Sequence, residues 1–415
     1  MGTLLLPLRG IWQLLTPWRM KWYPRVLVGG AAIGFLASFM VKDGASTLTG
    51  RLGADYPAFY AAGRIIAEGD GRSLYSSERQ ASAQVGLFPS HENFFIPFPY
   101  PAFVAVAYSP LAMLSYRFSY FIHTMIMVGA LLLALQALRP VSTVIAEQFF
   151  LVFSLLILYY PLLRSIIGGQ NTAITFLLVA LLWRTASDRQ DFRAGVCLGL
   201  LLFKPQYGLP IIGLFLLSRR WKVVAACVVI GLVQWVIGAW HCGWGWITEW
   251  LEYANWVSRV AADIDKANAI SWIGFLEAIL GNESGFGAAL GYILAGITVG
   301  VTCRSWWKTT RHQDFSFQMG VAMACILLIP PHACYYDAGL LAFTWITLIS
   351  RDWKYKTEIM AGVWIWGFSQ VLAEWIGFSP IFFVVVFTFI MTLRLREGMA
   401  REPEDCLAKR RIQHF

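Results

Sequence analysis

Val223-Val-Ala-Ala-Cys-Val-Val-Ile-Gly-Leu-Val-Gln-Trp-Val-Ile-Gly-Ala-Trp240 is a run of 18 residues without a charge. Arg219, Arg220 and Lys222 precede it, and Trp244 and Trp246 follow it. A helix of this length rises about 27 Å, close to the ~30 Å hydrocarbon thickness of a bilayer. Basic residues at one end and tryptophans at the other fit a crossing whose basic end faces the cytoplasm. Composition extends the same reading to the whole chain of 415 residues, 58% hydrophobic and 14% charged, with 19 Trp and 29 Phe. Soluble domains carry about 25% charged residues. An all-α polytopic membrane protein follows.

Further apolar runs centre on residues 26–41, 98–114, 118–138, 149–163, 171–184, 194–217, 285–303, 317–330, 336–350, 358–374 and 380–394. By hydropathy this predicts about twelve transmembrane helices in a single integral membrane domain, 1–415. Residues 1–22 alternate Leu, Trp and basic side chains, as a cytoplasmic interfacial helix does. With the N-terminus inside, Arg117, Arg304, Lys308, Arg351, Lys354 and the tail 395–415 fall in the cytoplasm. The polar segments 42–97 and 241–284 fall outside. Arg184, Arg189 and Arg193 are discordant, coming out external, and the short spans near 149–184 point to a re-entrant break at Gly168-Gly169. The expected location is the cell inner (plasma) membrane, with the outer-face segments toward the periplasm or exterior.

The net charge of +9 lies in short clusters between apolar runs, which sets topology and gives no nucleic-acid surface. The seven cysteines have neither CxxC pairs nor metal-ligand spacing, so no disulfide framework, metal or cofactor is expected; a Cys242–Cys334 bridge is conceivable.

Candidate chemistry sits in the polar interruptions. In the first outer segment, Pro57 marks a helix start and Gly69 a stop. Ala58, Ala61, Ala62, Ile65 and Ile66 give that helix an apolar face, Arg64 and Glu68 are spaced to pair, and a short surface helix is the simplest account. Asp55 precedes it at the positive helix end, where it either caps the helix or serves as an ionised base. The segment closes with His91, Glu92 and the aromatic–proline stretch Phe94–Pro101, read as anchoring at the bilayer boundary. Gly168-Gly169-Gln170-Asn171 interrupts two apolar runs, as a turn or a ligand contact. Lys204, followed by Pro205 and Gln206, lies inside the run 194–217. An embedded Lys faces a cavity or a partner, so it holds either a phosphate or a buried acid. His332, Tyr335, Tyr336 and Asp337 cluster at the outer end of two spans, where they bind a phosphate or sugar or simply pack. In the second outer segment, Trp244, Trp246, Trp250 and Trp256 flank Glu249, Glu252 and Asn255. Such residues stack on a sugar or build an interfacial helix.

The ordered set Gly53-Ala54-Asp55-Tyr56-Pro57, Gly71-Arg72-Ser73-Leu74-Tyr75, Phe98-Pro99-Tyr100-Pro101, Gly169-Gln170-Asn171, Lys204-Pro205-Gln206 and Pro331-His332 to Asp337 resembles glycosyltransferase family 87. These C-superfamily enzymes use polyprenyl-phosphate sugars. The resemblance implies an inverting transferase moving a hexose or pentose, mannose among them, from a polyprenyl-phosphate donor to a lipid-linked or glycan acceptor at the outer face. Membrane lipids are its surroundings. It implies Asp55 as catalytic base and a role for His332 at the donor phosphate. Beside it, the embedded Lys204 is placed to stabilise the same phosphate, and Gln206, Tyr335, Asp337, Gln170 and Arg64 are further candidate donor phosphate or sugar contacts. Two departures stand out: Ala102 replaces a common second proline, and a single histidine stands where some members have two. A transporter or flippase of lipid-linked sugars is the alternative, though the chain shows no matching halves. A membrane scaffold without chemistry is the third reading.

Overall fold

The computed structural model describes residues 16–40, 52–87, 95–264, 266–281, 285–310 and 315–400. Residues 1–15, His91, Glu92, Asp265 and the tail beyond 400 lie outside the described residues. Among those described, every regular element is helical, and the one extended feature is an isolated bridge between Ala269 and Cys334. Four helices are long and apolar enough to cross a membrane: Tyr116–Leu138, Trp221–Cys242, Phe286–Trp307 and Lys356–Ile376. Phe149–Leu158 and Tyr160–Ile167 form a fifth apolar unit, bent by 71°. Pro161 in the first turn of its second half allows the bend, since proline needs no amide partner there. Pro205–Leu217, Phe315–Leu328 and other apolar helices of 10–17 residues are too short for a straight crossing. The expected count of about twelve is therefore not confirmed. Hydropathy merges runs that the backbone breaks. The predicted span 194–217, for instance, is two helices parted at Lys204-Pro205.

The structure divides into two compact units. The first comprises residues 1–184 and 230–257. At its centre lies the helix Tyr56–Ala67, ended as expected by Gly69 at φ +79°. The expected surface helix is instead buried at every position except Arg64 and Ala67. Small residues explain this. A Cβ at Gly63 would come within 2.7 Å of the Tyr108 carbonyl, so its neighbour, Ala102–Ala112, packs backbone against backbone. The aromatic residues are buried because their hydroxyls find partners. Tyr56 bonds Ser119 at 2.6 Å, and Tyr60 donates to the Leu114 carbonyl at 2.8 Å.

The second unit comprises residues 185–229 and 258–415. Its core helix, Phe315–Leu328, is buried from Phe317 to its end, as a helix enclosed by others must be. Gly320 lets Leu341–Ile349 approach, and Thr344 donates to the Gly320 carbonyl at 2.7 Å. Phe275 stacks on Phe382 with centroids 3.7 Å apart. Among the described residues neither Cys242 nor Cys334 is in a disulfide, so the conceivable bridge is not formed.

Candidate active site

In the first unit, two tight turns clasp each other and fix Asp55. Gly53 (φ +85°) and Ala54 (φ +40°) turn the chain into the helix Tyr56–Ala67. Gly169 (φ +72°) turns it out of the helix Tyr160–Ile167. The Asp55 amide donates to the Gly168 carbonyl at 3.0 Å, and a Cβ at Gly169 would lie 2.5 Å from that of Tyr56. Glycine is required there by both contact and backbone conformation. Tyr116 donates to the Leu52 carbonyl at 2.7 Å and Tyr120 to that of Ile167 at 2.5 Å, pinning both turns to one helix.

Asp55 makes no side-chain cap on its own helix. Its Oδ2 accepts from Gln170 Nε2 at 2.6 Å, and Tyr100 reaches Gln170 Oε1 through a longer bond of 3.4 Å. The alternatives open in the sequence are thereby narrowed: the carboxylate is turned toward Gln170 instead of its own helix amides. Buried polar atoms surround the Gly168–Asn171 break. Ser165 Oγ, both polar atoms of the Asn171 amide and His123 Nε2 have no hydrogen-bond partner among the described residues. The His123 ring lies 4.7 Å from that of Tyr56. The sequence reading missed His123, whose only local signal is one polar ring inside the apolar run 118–138.

Arg64 is not part of this group. It is exposed and bonds Glu68 at 2.8 Å, the pairing its spacing predicts. Glu68 also meets Arg79, which reaches Asp70 at 2.7 Å. The bonds from Arg64 and Arg79 hold the Glu68 carboxyl below its usual range, and those from Arg79 and Ser73 do the same for Asp70.

In the second unit, Lys204 Nζ lies 2.9 Å from Asp337 Oδ1, and Tyr207 donates to Oδ2 at 2.6 Å. Both charged side chains are at most 5% exposed. Of the two roles open to an embedded lysine, the geometry displays the buried acid partner. Pro205 starts the next helix while Lys204 itself leaves helical geometry (φ −121°, ψ 79°). Its side chain thus leaves from a break. His332 is exposed and contacts Ser258 through Nε2. Neighbouring atoms that displace water from its ring lower its pKa, against a smaller opposing effect of Glu277. Gln206 is exposed, and Tyr335 is half-buried with its ring 5.7 Å from that of Tyr336. Among the described residues, no group of three His, Cys, Asp or Glu side chains is placed to hold a metal ion.

Apolar helices, a broken span and a carboxylate held at the break define a polytopic membrane protein with a polar, partly unsatisfied site. The sequence pattern of glycosyltransferase family 87 matches residues 98–331, more than half of the chain, which therefore belongs to that family. The match includes Gln170 and Lys204; Asp55, His332 and Asp337 lie outside it. The chain is also similar to the polyprenol-phosphate-mannose-dependent alpha-(1-2)-phosphatidylinositol pentamannoside mannosyltransferase of Mycolicibacterium smegmatis. The two are 26% identical over 241 residues, covering 54% of this chain and 53% of the relative. The chain thus spans about half the length of the curated relative it matches.

Proposed function

We propose that the chain is an inverting membrane glycosyltransferase with Asp55 as its catalytic base. Its donor is a polyprenyl-phosphate sugar, a hexose such as mannose or a pentose, and it acts on a lipid-linked or glycan acceptor at the outer face. The observation that carries this reading is the Asp55–Gln170 contact, in a chain of a glycosyltransferase family. Gln170 donates its amide hydrogen to Oδ2 and so orients the carboxylate. The acceptor hydroxyl attacks the anomeric carbon, its O–H bond breaks toward Asp55, and the C–O bond to polyprenyl phosphate breaks with inversion. The phosphate departs with the electron pair. Lys204, already facing Asp337, enters as the pin of the Pro205 break.

Asp55→Asn is the test. The amide keeps the side chain's size and an oxygen that accepts from Gln170, and insertion and thermal unfolding measured alongside separate lost folding from lost chemistry. Transfer from a radiolabelled polyprenyl-phosphate sugar to membrane glycolipids should fall by about 10²-fold or more, the usual contribution of general-base catalysis. Wild-type transfer rates in the variant would remove Asp55 from the base role. Lipid translocation without any transfer by the wild type would instead favour a flippase.

A further inference from the structure

The first unit also contains an open cleft of about 960 Å³, whose lining includes neither Asp55 nor Gln170. Its walls come from the segment 72–82 and from the helix Trp246–Ile264. One face of that helix presents Glu249, Glu252, Tyr253 and Trp256, residues three or four apart and therefore neighbours on a helix surface. Tyr75, Tyr253 and Trp256 form an aromatic run, with centroids 5.9 and 5.5 Å apart. Arg72 lines the same space.

Charge pairing distinguishes the cleft from its surroundings. Glu68, Asp70 and Arg79 compensate one another. The side chains of Arg72, Glu249 and Glu252, by contrast, have no hydrogen bond or ion pair among the described residues. Two uncompensated carboxylates repel a phosphate or other anion. The charges also make the cleft a poor seat for an acyl chain. A neutral, hydroxyl-rich ligand fits both features. Its C–H face lies against the exposed Trp256 ring, while adjacent hydroxyls bond the carboxylates and the guanidinium. The volume is at the upper end of the ~300–1,000 Å³ range of small-ligand sites, with room for more than one sugar ring.

The cleft is joined to Asp55 through two residues, Tyr100 and Gln170. Tyr75 donates to the Tyr100 carbonyl at 3.0 Å, the Tyr100 hydroxyl reaches Gln170 at 3.4 Å, and Gln170 holds Asp55. We propose that this cleft binds the glycan of the acceptor, seating sugar rings next to the one whose hydroxyl Asp55 deprotonates. The acceptor role rests on the transferase reading above; carbohydrate binding by the cleft does not.

The full chain in lipid nanodiscs should bind at least one of manno-, gluco- and arabino-tetraose, measured by isothermal titration calorimetry. Trp256→Ala and the double variant Glu249→Gln/Glu252→Gln should each weaken that binding at least tenfold. Asp55→Asn should bind as the wild type does. In transfer assays Trp256→Ala should raise the acceptor KM and leave the donor KM in place. Should Trp256→Ala fail to fold, the glutamine double variant, which keeps size and shape, decides alone. No binding of any tetraose, or equal binding by the folded variants, overturns the proposal. Tetraose binding by a wild-type chain that transfers no sugar overturns the acceptor role together with the transferase reading, and supports the carbohydrate site. Transfer without tetraose binding overturns the cleft and leaves Asp55 as the base.

Discussion

Replacing Lys204 with Met removes an ammonium 2.9 Å from Asp337 and takes its counter-charge from a carboxylate only 5% exposed. Removing one partner of a buried pair costs about 3–5 kcal/mol, because the remaining charge has lost its water without the compensation. Tyr207 still donates to Asp337 at 2.6 Å, and that bond is common to both proteins, so it cancels. The lower bound of about 3 kcal/mol is more than a hundredfold in the folded-to-unfolded ratio. Asp337→Asn keeps the shape and an acceptor for Tyr207, strands the lysine instead, and should cost a similar amount. The double variant Lys204→Met/Asp337→Asn strands neither. Its destabilisation should be smaller than the sum of the singles by about 2 kcal/mol, within the range for contacting residues. Denaturant unfolding in mixed micelles, followed by near-ultraviolet circular dichroism, measures all four corners of the cycle. Additive costs, or a wild-type midpoint for Lys204→Met, would refute the pairing argument. A wild-type midpoint combined with a raised donor KM would assign the ammonium to the donor phosphate.

Two further outcomes follow from the first unit. Gly169→Ala forces a side chain into a left-handed backbone position, 2.5 Å from Tyr56 Cβ and 2.7 Å from the Gly53 carbonyl. It should cost at least about 1 kcal/mol from the backbone alone and misplace Asp55, seen as a lowered thermal midpoint with reduced transfer; unchanged values for both would contradict the clasp. The lowered pKa values of Glu68 and Asp70 mean that the folded state binds their protons less readily than the unfolded chain. Their stabilisation is present above the unfolded values, about 4.3 and 3.9, and is lost as pH falls through the folded ones. Arg79→Ala should flatten that acid limb, most visibly at low salt because these groups face solvent. An unaltered limb in pH-dependent unfolding would separate the network from acid stability.

The features legible in the sequence are those that depend on near neighbours. Composition marks the membrane class, proline and glycine mark the breaks at Lys204-Pro205 and Gly168–Asn171, and four-residue spacing pairs Arg64 with Glu68. The remainder depends on partners far along the chain. Asp55 meets Gln170 across 115 positions, and Lys204 meets Asp337 across 133. Each of the four residues stood out by itself, yet nothing local says that they pair as they do. Hydropathy counted spans without detecting where a helix bends or stops, hence the unconfirmed twelve. The helix Tyr56–Ala67 was misplaced at the surface because its alanines and glycine, weak in hydropathy, bury it by allowing backbones to touch. His123 became visible only once Tyr56 and the Gly168–Asn171 break were placed beside it.

Gln80 makes the importance of the aromatic–proline stretch concrete. Its Nε2 donates to the Leu74 carbonyl at 2.7 Å, while its Oε1 accepts from the Phe98 amide and the Tyr253 hydroxyl, each at 2.9 Å. One planar group therefore joins the turn before Tyr75, the segment leading to Tyr100 and the helix that carries Trp256. Glutamate at this position would lack the donor to Leu74 and lysine the acceptor for Phe98 and Tyr253, so neither holds all three segments together. A shift of Tyr253 on ligand binding would pull on the same amide that holds Phe98. Gln80 is thus a joint between the wall of the cleft and the segment that carries Tyr100.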